Sequence, residues 1–355
     1  MVRVGVFLPN WVGDVVMATP ALRALTKQLG SDCQIYGVMR PYVAEVLAGA
    51  PWLHETIDFD PKSKDPQQRS WAVMRRLRQL RLDIIISLTN SLRAGVMCWG
   101  SGAKRRLGYA RNGRRLFLTD ILTPRRDERG WKPVSAVDYY LELVALLGCE
   151  ITAREVELYT TSRDEQLADR VWRQQGWSKR EPVVALCPAG AYGAAKHWPV
   201  ESFAELGRRL RQERDVSVLI LSGPAERGMA RQIQEQVNDP RVVAVLDLPP
   251  TIGLSKACLQ RCEAVITTDS GPRHLAAGFG VPTIALFGPT DPAWSLNYSP
   301  VEIRLQHQQL DCLPCGQRVC PLQHHRCMTE LTVDRVLQAV RQLPSRHSLL
   351  AQRSA

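Results

Sequence analysis

The chain has 355 residues, of which 45% are hydrophobic and 23% charged, and its formal net charge is +11. This composition is that of a soluble globular protein, and the length suits two domains better than one. A membrane-spanning helix is excluded, because no apolar stretch approaches the roughly 20 residues that it needs. The first apolar run, at residues 4–8, is too short for a signal peptide. We therefore expect a cytoplasmic protein, free or bound to the cytosolic face of a membrane.

Short apolar strands alternate with amphipathic helices through the first half of the chain. The predicted elements are strand 2–8, helix 14–29, strand 33–38, helix 42–48, helix 71–80, strand 83–88 and helix 137–147. Pro20 lies inside the first helical pattern, where it should kink the helix or mark a restart. The alternation predicts βαβ units and a parallel sheet.

The same alternation starts again in the second half. The predicted elements are strand 183–187, helix 201–212, strand 216–221, helix 225–237, strand 242–246, helix 252–261, strand 264–268, a helix after Ser270, and strand 283–287. The sequence therefore predicts two Rossmann-like, doubly wound α/β domains, at residues 1–165 and 180–332. A last helix at 333–343 should pack back toward the N-terminal domain, and residues 344–355 should form a loose tail.

Loops that follow strands carry the most information, because ligands of doubly wound sheets bind beyond the carboxyl ends of the strands. Four such loops stand out, at residues 9–14, 188–196, 222–226 and 269–274. The last one precedes a helix whose first amides belong to Ser270 and Gly271, and the free N–H groups and positive dipole of a helix start suit a phosphate. A simpler interpretation is that Asp269 or Ser270 only caps this helix.

Two common nucleotide-binding motifs are missing from the sequence. No GxGxxG follows the first strand, where Asn-Trp-Val-Gly-Asp stands at residues 10–14, and no GxxxxGK[ST] occurs anywhere. A nicotinamide-dependent dehydrogenase and a P-loop enzyme are therefore disfavoured.

Positive charge is concentrated at residues 104–132, which hold ten Lys or Arg and three acidic residues. Such a segment indicates an anionic partner, although it could also be a solvated basic face. Nucleic acid is the less attractive partner, because no helix-turn-helix, RNA-recognition or zinc-finger pattern accompanies the charge.

Four of the ten cysteines cluster near the end of the chain. They are Cys312, Cys315, Cys320 and Cys327, with His324 and His325 between them. Thiolates and imidazoles are the usual zinc ligands, but the spacing is not that of a standard zinc ribbon. We predict no metal, and leave open a reduced cluster that packs a loop, a zinc site or a disulfide.

Taken together, the loops resemble the motifs of the ADP-heptose:lipopolysaccharide heptosyltransferases, glycosyltransferase family nine. The matching segments are residues 11–14 (Trp-Val-Gly-Asp) with 17–22, 196–199 (Lys-His-Trp-Pro), 269–277, 286–290 and, more weakly, 107–109. The resemblance covers residues 1 to about 342. Trp11 and the cysteine-rich stretch are more similar to the type II members of the family than to type I.

The resemblance implies a GT-B architecture with the active site in a cleft between the domains. It also implies inverting transfer of L-glycero-D-manno-heptose from ADP-heptose to the heptose of the lipopolysaccharide inner core, with no required cofactor. The implied partners are ADP-heptose, an anionic lipid-anchored acceptor (lipid A–Kdo–heptose) and the cytosolic surface of the inner membrane. We expect a monomer that does not bind nucleic acid.

Two residues match catalytic positions of the family. Asp14 corresponds to the proposed base, which takes the proton of the attacking acceptor hydroxyl. Lys196 corresponds to a lysine near the diphosphate, where a cation offsets the charge on departing ADP. The alternatives are that Asp14 only caps the first helix and that Lys196 is an ordinary surface lysine.

The remaining predicted site residues bind the two substrates. Those assigned to the nucleotide sugar are Gly13, Gly190, Ala191, Tyr192, Glu226, Asp269, Ser270, Gly271 and His274. Those assigned to the acceptor are Arg105, Arg106, Arg111 and Arg114. Glu226 would bind the adenosine ribose, or else be a carboxylate favoured at a helix start. His274 would touch phosphate or sugar, or else be a packed histidine.

Three other functions stay open from sequence alone. A family-nine transferase with a different acceptor, for the first or a later heptose, differs only in that acceptor. A non-catalytic nucleotide-sugar-binding protein is disfavoured by the joint presence of Asp14 and Lys196. A basic nucleic-acid-binding protein would show salt-sensitive affinity for DNA or RNA.

Overall fold

The computed structural model describes residues 1–346 except Ser31, Arg129 and Ala189, so residues 347–355 of the predicted tail lie outside the described residues. The described chain forms two compact units. The first comprises Met1–Leu158 with Ala293–Tyr298, and the second comprises Tyr159–Pro292 with the residues from Ser299 onward. Within the described part, no helix has the length and apolar character needed to cross a bilayer.

The first unit is built on a six-stranded sheet in which every neighbouring pair is parallel. Its strands are β1 (Val2–Phe7), β2 (Cys33–Met39), β3 (Glu55–Asp58), β4 (Ile84–Ser87), β5 (Arg105–Tyr109) and β6 (Asp120–Leu122). A short antiparallel hairpin, β7 (Arg126–Asp127) and β8 (Gly130–Trp131), follows the sheet.

Helices connect the strands of the first unit. They are α1 (Val12–Met17), α2 (Thr19–Leu29), α3 (Pro41–Leu47), α4 (Ser70–Gln79), α5 (Leu92–Gly100) and α6 (Ala136–Ala145). Pro20 lies in the first turn of α2, where its missing N–H is tolerated. The predicted restart at Pro20 is therefore confirmed.

The second unit repeats the design with a second parallel six-stranded sheet. Its strands are β9 (Val183–Cys187), β10 (Ser217–Ile220), β11 (Val242–Ala244), β12 (Ala264–Thr268), β13 (Thr283–Phe287) and β14 (Glu302–Gln306). Its helices are α7 (Ser162–Gln174), α8 (Val200–Arg214), α9 (Arg227–Val237), α10 (Ile252–Arg261), α11 (Gly271–Gly278), α12 (Arg326–Thr329) and α13 (Val333–Gln342).

Both sheets share one strand order, which confirms the predicted fold class. The orders are β3-β2-β1-β4-β5-β6 and β11-β10-β9-β12-β13-β14. In such a sheet the chain reverses direction of winding between the two central strands, and ligands bind at the carboxyl ends of that pair. The pairs are β1 with β4 in the first unit and β9 with β12 in the second, so the loops that follow these strands are positioned to build the sites.

Two observations concern the predicted domain organisation. The first unit ends at Leu158, compared with the predicted residue 165, and α7 packs against α10 of the second unit. The last helix, α13, packs against α8 and β13 of its own unit, where Val336 and Leu337 are buried. Its apolar face completes the second core, and packing of α13 back toward the N-terminal domain stays a prediction.

Candidate active site

A buried network of charged side chains surrounds Asp269, the residue that follows β12. Its Oδ2 accepts hydrogen bonds from Lys196 Nζ at 2.6 Å and from Thr290 Oγ1 at 2.8 Å. Its Oδ1 accepts a hydrogen bond from Arg273 Nη1 at 3.1 Å. Only 5% of Asp269 is exposed, so three elements of the second unit converge on one carboxylate at the carboxyl edge of the sheet.

Arg273 is itself held from behind by Glu302, on the edge strand β14. The Arg273 Nε and Nη2 atoms each donate to a different oxygen of Glu302, both at 2.8 Å. Both side chains are buried, and the planar guanidinium suits this bidentate contact. With Lys196 and Asp269, the four side chains carry two positive and two negative charges, so the buried network is neutral as a whole.

Charge around Asp269 decides its ionisation. Burial alone would raise its pKa, but the nearby Lys196 and Arg273 outweigh that effect and lower the pKa to about 2. Asp269 is therefore ionised at neutral pH. Lys196 Nζ also donates to the Asp269 backbone oxygen at 2.9 Å, which fixes the lysine in place. The interpretation of Lys196 as a surface lysine is wrong, since only 7% of it is exposed.

His274 lies one residue after Arg273 and is 4% exposed. Burial and the positive charge of Arg273 lower the pKa of its imidazole to about 3, so the ring is neutral at physiological pH. Its Nδ1 is buried and has no hydrogen-bond partner among the described residues. A buried, unpaired polar atom is costly, which makes Nδ1 a natural contact for a ligand.

Helix α11 begins at Gly271, as predicted, and Ser270 occupies the N-cap position. The Ser270 hydroxyl makes no capping hydrogen bond within the described chain and donates instead to Thr268 O at 3.2 Å. Since Asp269 is also engaged elsewhere, the simpler interpretation of these residues as helix caps is wrong. Gly190 approaches this helix start so closely that a Cβ there would lie 2.5 Å from Ser270 Cβ.

The cysteine-rich segment, residues 312–327, supports the loop that carries Lys196. Arg318 O accepts a hydrogen bond from Ala195 N at 3.0 Å, and Gly316 O accepts one from Tyr192 Oη at 2.6 Å. The Tyr192 ring in turn lies 4.5 Å from Lys196 Nζ. Ala191 of the same loop is exposed. The segment therefore packs the Lys196 loop from outside.

The four cysteines of this segment form no disulfide bond among the described residues. Burial and the neighbouring Cys320, Cys315 and Cys312 raise the pKa of the Cys327 thiol to about 11. Among the described residues, no group of three or more His, Cys, Asp or Glu side chains is arranged to hold a metal ion.

Glu226 follows β10 and occupies the N-cap position of α9. The pKa of His197 is lowered by burial, and the charge of Glu226 opposes this effect in part. Glu226 and the Lys196 loop follow β10 and β9, which are neighbouring parallel strands, so both lie at the carboxyl edge of the second sheet.

Asp14 lies in the first unit, at the third position of α1, with Gly13 before it. The N-cap position of α1 belongs to Trp11, so Asp14 is not the N-cap residue. Helix α1 packs against α6, whose Tyr140 is buried. Burial raises the pKa of Tyr140, and the charge of Asp14 raises it further. Asp14 follows β1 at the carboxyl edge of the first sheet.

Two of the four predicted acceptor arginines lie at the amino end of β5. Arg105 and Arg106 begin the strand, at the edge opposite to Asp14. Arg105 Nη2 pairs with Asp120 Oδ1 at 2.6 Å, and Arg106 Nε donates to Phe117 O at 2.9 Å. Both contacts stabilise the sheet margin, and the structure does not bring these two arginines next to Asp14.

Arg114, the third predicted acceptor arginine, is engaged inside the first unit. It is fully buried, and its guanidinium donates to Tyr109 O at 2.8 Å, to Ser87 Oγ at 2.9 Å and to Asn90 Oδ1 at 2.9 Å. The side chain ties the loop after β4 to the loop after β5. The sequence showed its charge but not its burial.

Arg111 does lie at the carboxyl edge, after β5. Its guanidinium carbon is 4.5 Å from the centre of the Trp131 ring, and that of Arg126 is 3.9 Å from the same ring. Arg111 Nε is buried without a hydrogen-bond partner in the described part of the chain. The sequence analysis did not select Trp131 or Arg126 as site residues. Together with Arg111 they form a cluster in which two guanidinium groups lie against one indole ring.

Sequence reasoning also missed Arg273, Thr290 and Glu302. Arg273 and Thr290 lie inside residues 269–277 and 286–290, which match the family motifs, so the motifs could have identified them as candidate site residues. Glu302 lies in the alternating apolar pattern of residues 301–305, which is typical of a strand. The signal that Glu302 faces Arg273 is absent from the sequence, because it depends on the pairing of β14 with β13.

Comparison with known proteins identifies related sequences. "Glycosyltransferase family 9 (heptosyltransferase)" matches residues 70–326. The chain is 26% identical to lipooligosaccharide heptosyltransferase 2 of Campylobacter jejuni, over 96% of this chain and 98% of that protein.

Two solved structures share the fold. A family 9 glycosyl transferase from Veillonella parvula has a TM-score of 0.83 at 22% identity and covers 96% of each chain. The ADP-heptose LPS heptosyltransferase II of Escherichia coli has a TM-score of 0.76 at 21% identity and covers 99% of this chain and 100% of its own. Since the family match spans more than half of the sequence, the chain belongs to glycosyltransferase family 9, the heptosyltransferases.

Proposed function

We propose that the protein transfers heptose from ADP-heptose to the heptose of the lipopolysaccharide inner core, as a type II heptosyltransferase. The observation that carries this proposal is the Lys196–Asp269–Arg273 network at the start of α11, beside the central strands of the second sheet. Relatives named heptosyltransferase 2 support the choice of sugar and acceptor.

The second unit would bind the donor. The amides at Ser270 and Gly271 face the diphosphate, which the positive end of α11 favours. Lys196 lies beside them and offsets the negative charge that develops on departing ADP. Glu226 accepts hydrogen bonds from the ribose hydroxyls, and the buried Nδ1 of His274 contacts phosphate or sugar. Gly190 and its neighbours supply further backbone amides.

The first unit would supply the base. The acceptor hydroxyl oxygen attacks C1 of the heptose, the bond from C1 to the phosphate oxygen breaks, and Asp14 takes the hydroxyl proton. ADP leaves with the bonding electrons, so the configuration at C1 inverts. A positioned carboxylate in this role contributes about 10²–10⁴-fold.

The acceptor would be held at the carboxyl edge of the first sheet. Arg111 and Arg126 flank Trp131 there, and two guanidinium groups suit the carboxylates or phosphates of an anionic, lipid-anchored acceptor. Such an acceptor places the enzyme at the cytosolic surface of the inner membrane.

The test is ADP release from ADP-heptose, with and without mono-heptosylated lipid A–Kdo acceptor, for wild type and Asp14→Asn. We expect acceptor-dependent release that falls at least ~10²-fold in Asp14→Asn while ADP-heptose still binds. Asp120→Asn, which removes a carboxylate from the opposite edge of the same sheet, should turn over like wild type.

Two outcomes would contradict the proposal. Turnover of Asp14→Asn near the wild-type rate would remove Asp14 as the base. Donor binding without release in the presence of this acceptor would point to a different acceptor, or to a binding protein without catalysis.

A further inference from the structure

Three of the four exposed residues of helix α5 are apolar, which is unusual for a surface helix. Leu92, Val96 and Trp99 are 49%, 37% and 60% exposed. Their spacing of four and then three residues places all three on one face of the helix. The opposite face, with Met97 and Cys98, is buried in the core of the first unit.

A fourth apolar side chain extends this face. Leu116 is 87% exposed, and its neighbour Phe117 has its ring centre 6.4 Å from that of Trp99. The short turn that carries both packs tightly on α5, since a Cβ on Gly95 would lie 2.7 Å from Arg114 Cβ. We name Leu92, Val96, Trp99 and Leu116 the α5 patch.

The sequence around the patch is basic and lacks acidic residues. Residues 88–119 include seven Lys or Arg and no Asp or Glu. Residues 69–81, which contain the neighbouring helix α4, include five Arg and no acid. Arg93 and Arg115 are both exposed and adjoin members of the patch in the chain. Trp71 of α4 adds a further exposed indole, at 74%.

We propose that the α5 patch inserts into the interfacial region of an anionic lipid bilayer. Apolar side chains with tryptophan would enter the boundary between headgroups and acyl chains, while the surrounding arginines contact anionic headgroups. Indole rings favour this depth, because one end is apolar and the N–H is polar. A bilayer fits better than a protein partner, because the two segments that carry the exposed apolar side chains, residues 69–81 and 88–119, are basic and contain no acidic residue.

The position of α5 in the fold suits this role. Only four residues separate the end of β4 from the start of the helix, so its first turn lies at the same edge of the first sheet as Asp14. Docking through α5 would bring that edge to the membrane surface. The inference rests on the proposed function, because membrane docking serves an enzyme whose acceptor is anchored in the lipid bilayer.

The experiment is vesicle co-sedimentation of the full chain, with vesicles of phosphatidylglycerol and phosphatidylethanolamine or of phosphatidylcholine alone. We expect wild type to bind the anionic vesicles, and the double variant Trp99→Ser, Leu116→Ser to bind them at least ~10-fold more weakly. Arg93→Gln combined with Arg115→Gln should weaken binding and reduce its salt dependence. Leu322→Ser is the matched control, because it removes a 59% exposed leucine from the second unit.

Thermal unfolding at the wild-type temperature would show that the variants are folded. Equal binding of wild type and the Trp99→Ser, Leu116→Ser variant would overturn the inference, and so would the absence of wild-type binding to anionic vesicles. Turnover with a water-soluble, deacylated acceptor separates the two proposals. If the Trp99→Ser, Leu116→Ser variant loses vesicle binding but keeps its turnover of the deacylated acceptor, both proposals are supported. If vesicle binding depends on the α5 patch but the wild type transfers no heptose, the docking surface is supported and the proposed function is wrong.

Discussion

The two units share a strand order but place their charged side chains differently. In the second unit, Lys196, Asp269, Arg273 and Glu302 are buried and paired at the carboxyl edge of the sheet. In the first unit, the basic residues of α4, α5 and the following turn lie mostly on the outside, and Arg114 is the buried exception. One fold thus carries a preorganised charged site and a broad basic surface.

The difference follows from the partners that we propose. A nucleotide diphosphate sugar is small, and fixed charges act on it most strongly when they are shielded from water and need no rearrangement. A lipid-anchored acceptor arrives on a large anionic surface, which attracts many exposed cations at once. Variants that remove a single charge from one of the two units test this difference.

The largest effect is expected from Lys196→Ala in the second unit. The variant loses the cation beside the departing diphosphate, and we expect kcat/KM for ADP-heptose to fall by at least ~10²-fold, with weaker ADP binding. Calorimetric ADP titration and steady-state ADP release would measure the two effects.

Lys256 offers a matched control for that variant. It is also buried in the second unit, but its Nζ donates to Tyr159 O at 2.7 Å, within the packing of α10 and away from the site. Breaking a buried charged contact costs about 3–5 kcal/mol, so both variants should unfold at lower temperature. When affinity is calculated for the folded fraction alone, only Lys196→Ala should bind ADP more weakly. Unchanged kinetics in Lys196→Ala would show that Lys196 does not stabilise the departing ADP.

A smaller effect is expected from Glu302→Gln. The amide keeps the shape of the side chain but cannot accept from both Arg273 N–H groups, so Arg273 should shift toward Asp269 and disturb its contact with Lys196. We expect about a tenfold lower kcat/KM for the donor, equivalent to about 1.4 kcal/mol. Glu302 is a positioning residue, so ADP affinity should change together with the rate.

Glu181→Gln is the control for Glu302→Gln. Glu181 Oε1 pairs with Arg241 Nη2 at 3.0 Å at the amino end of the second sheet, away from the site. Equal donor kinetics in the Glu302 and Glu181 variants would show that the Arg273–Glu302 contact is purely structural.

The sequence was sufficient to predict three of the six strands of the first sheet, five of the six strands of the second, and the loops in which we place the candidate site. Asp269, Ser270 and Lys196 could be found because each follows a recognisable apolar strand and lies in a matching motif. The sequence was insufficient to separate Arg111 from Arg114, three positions apart in one basic segment. Exposure decides between them, and it depends on how α5 and the turn after β5 pack, which no local pattern encodes.

Long-range packing also decides what the sequence left unspecified. The apolar face of α13 indicates a packing partner but does not say which of two cores supplies it. Glu302 reads as an ordinary polar residue of an edge strand until β14 pairs with β13 and brings its carboxylate to Arg273. Contacts that depend on which strands pair, and in which register, therefore cannot be predicted from this sequence.

The smallest effect is expected in the first unit, from Arg111→Gln compared with Arg105→Gln. Arg111 lies beside Trp131 at the carboxyl edge and has a buried Nε without a partner among the described residues, so an anionic acceptor group can pair with it. We expect the acceptor KM to rise by a few fold, about 1 kcal/mol, with donor KM unchanged. Arg105, paired with Asp120 at the opposite edge, should leave acceptor KM at the wild-type value. A rise in both variants would show that the basic segment acts through its overall field rather than through a site at Arg111.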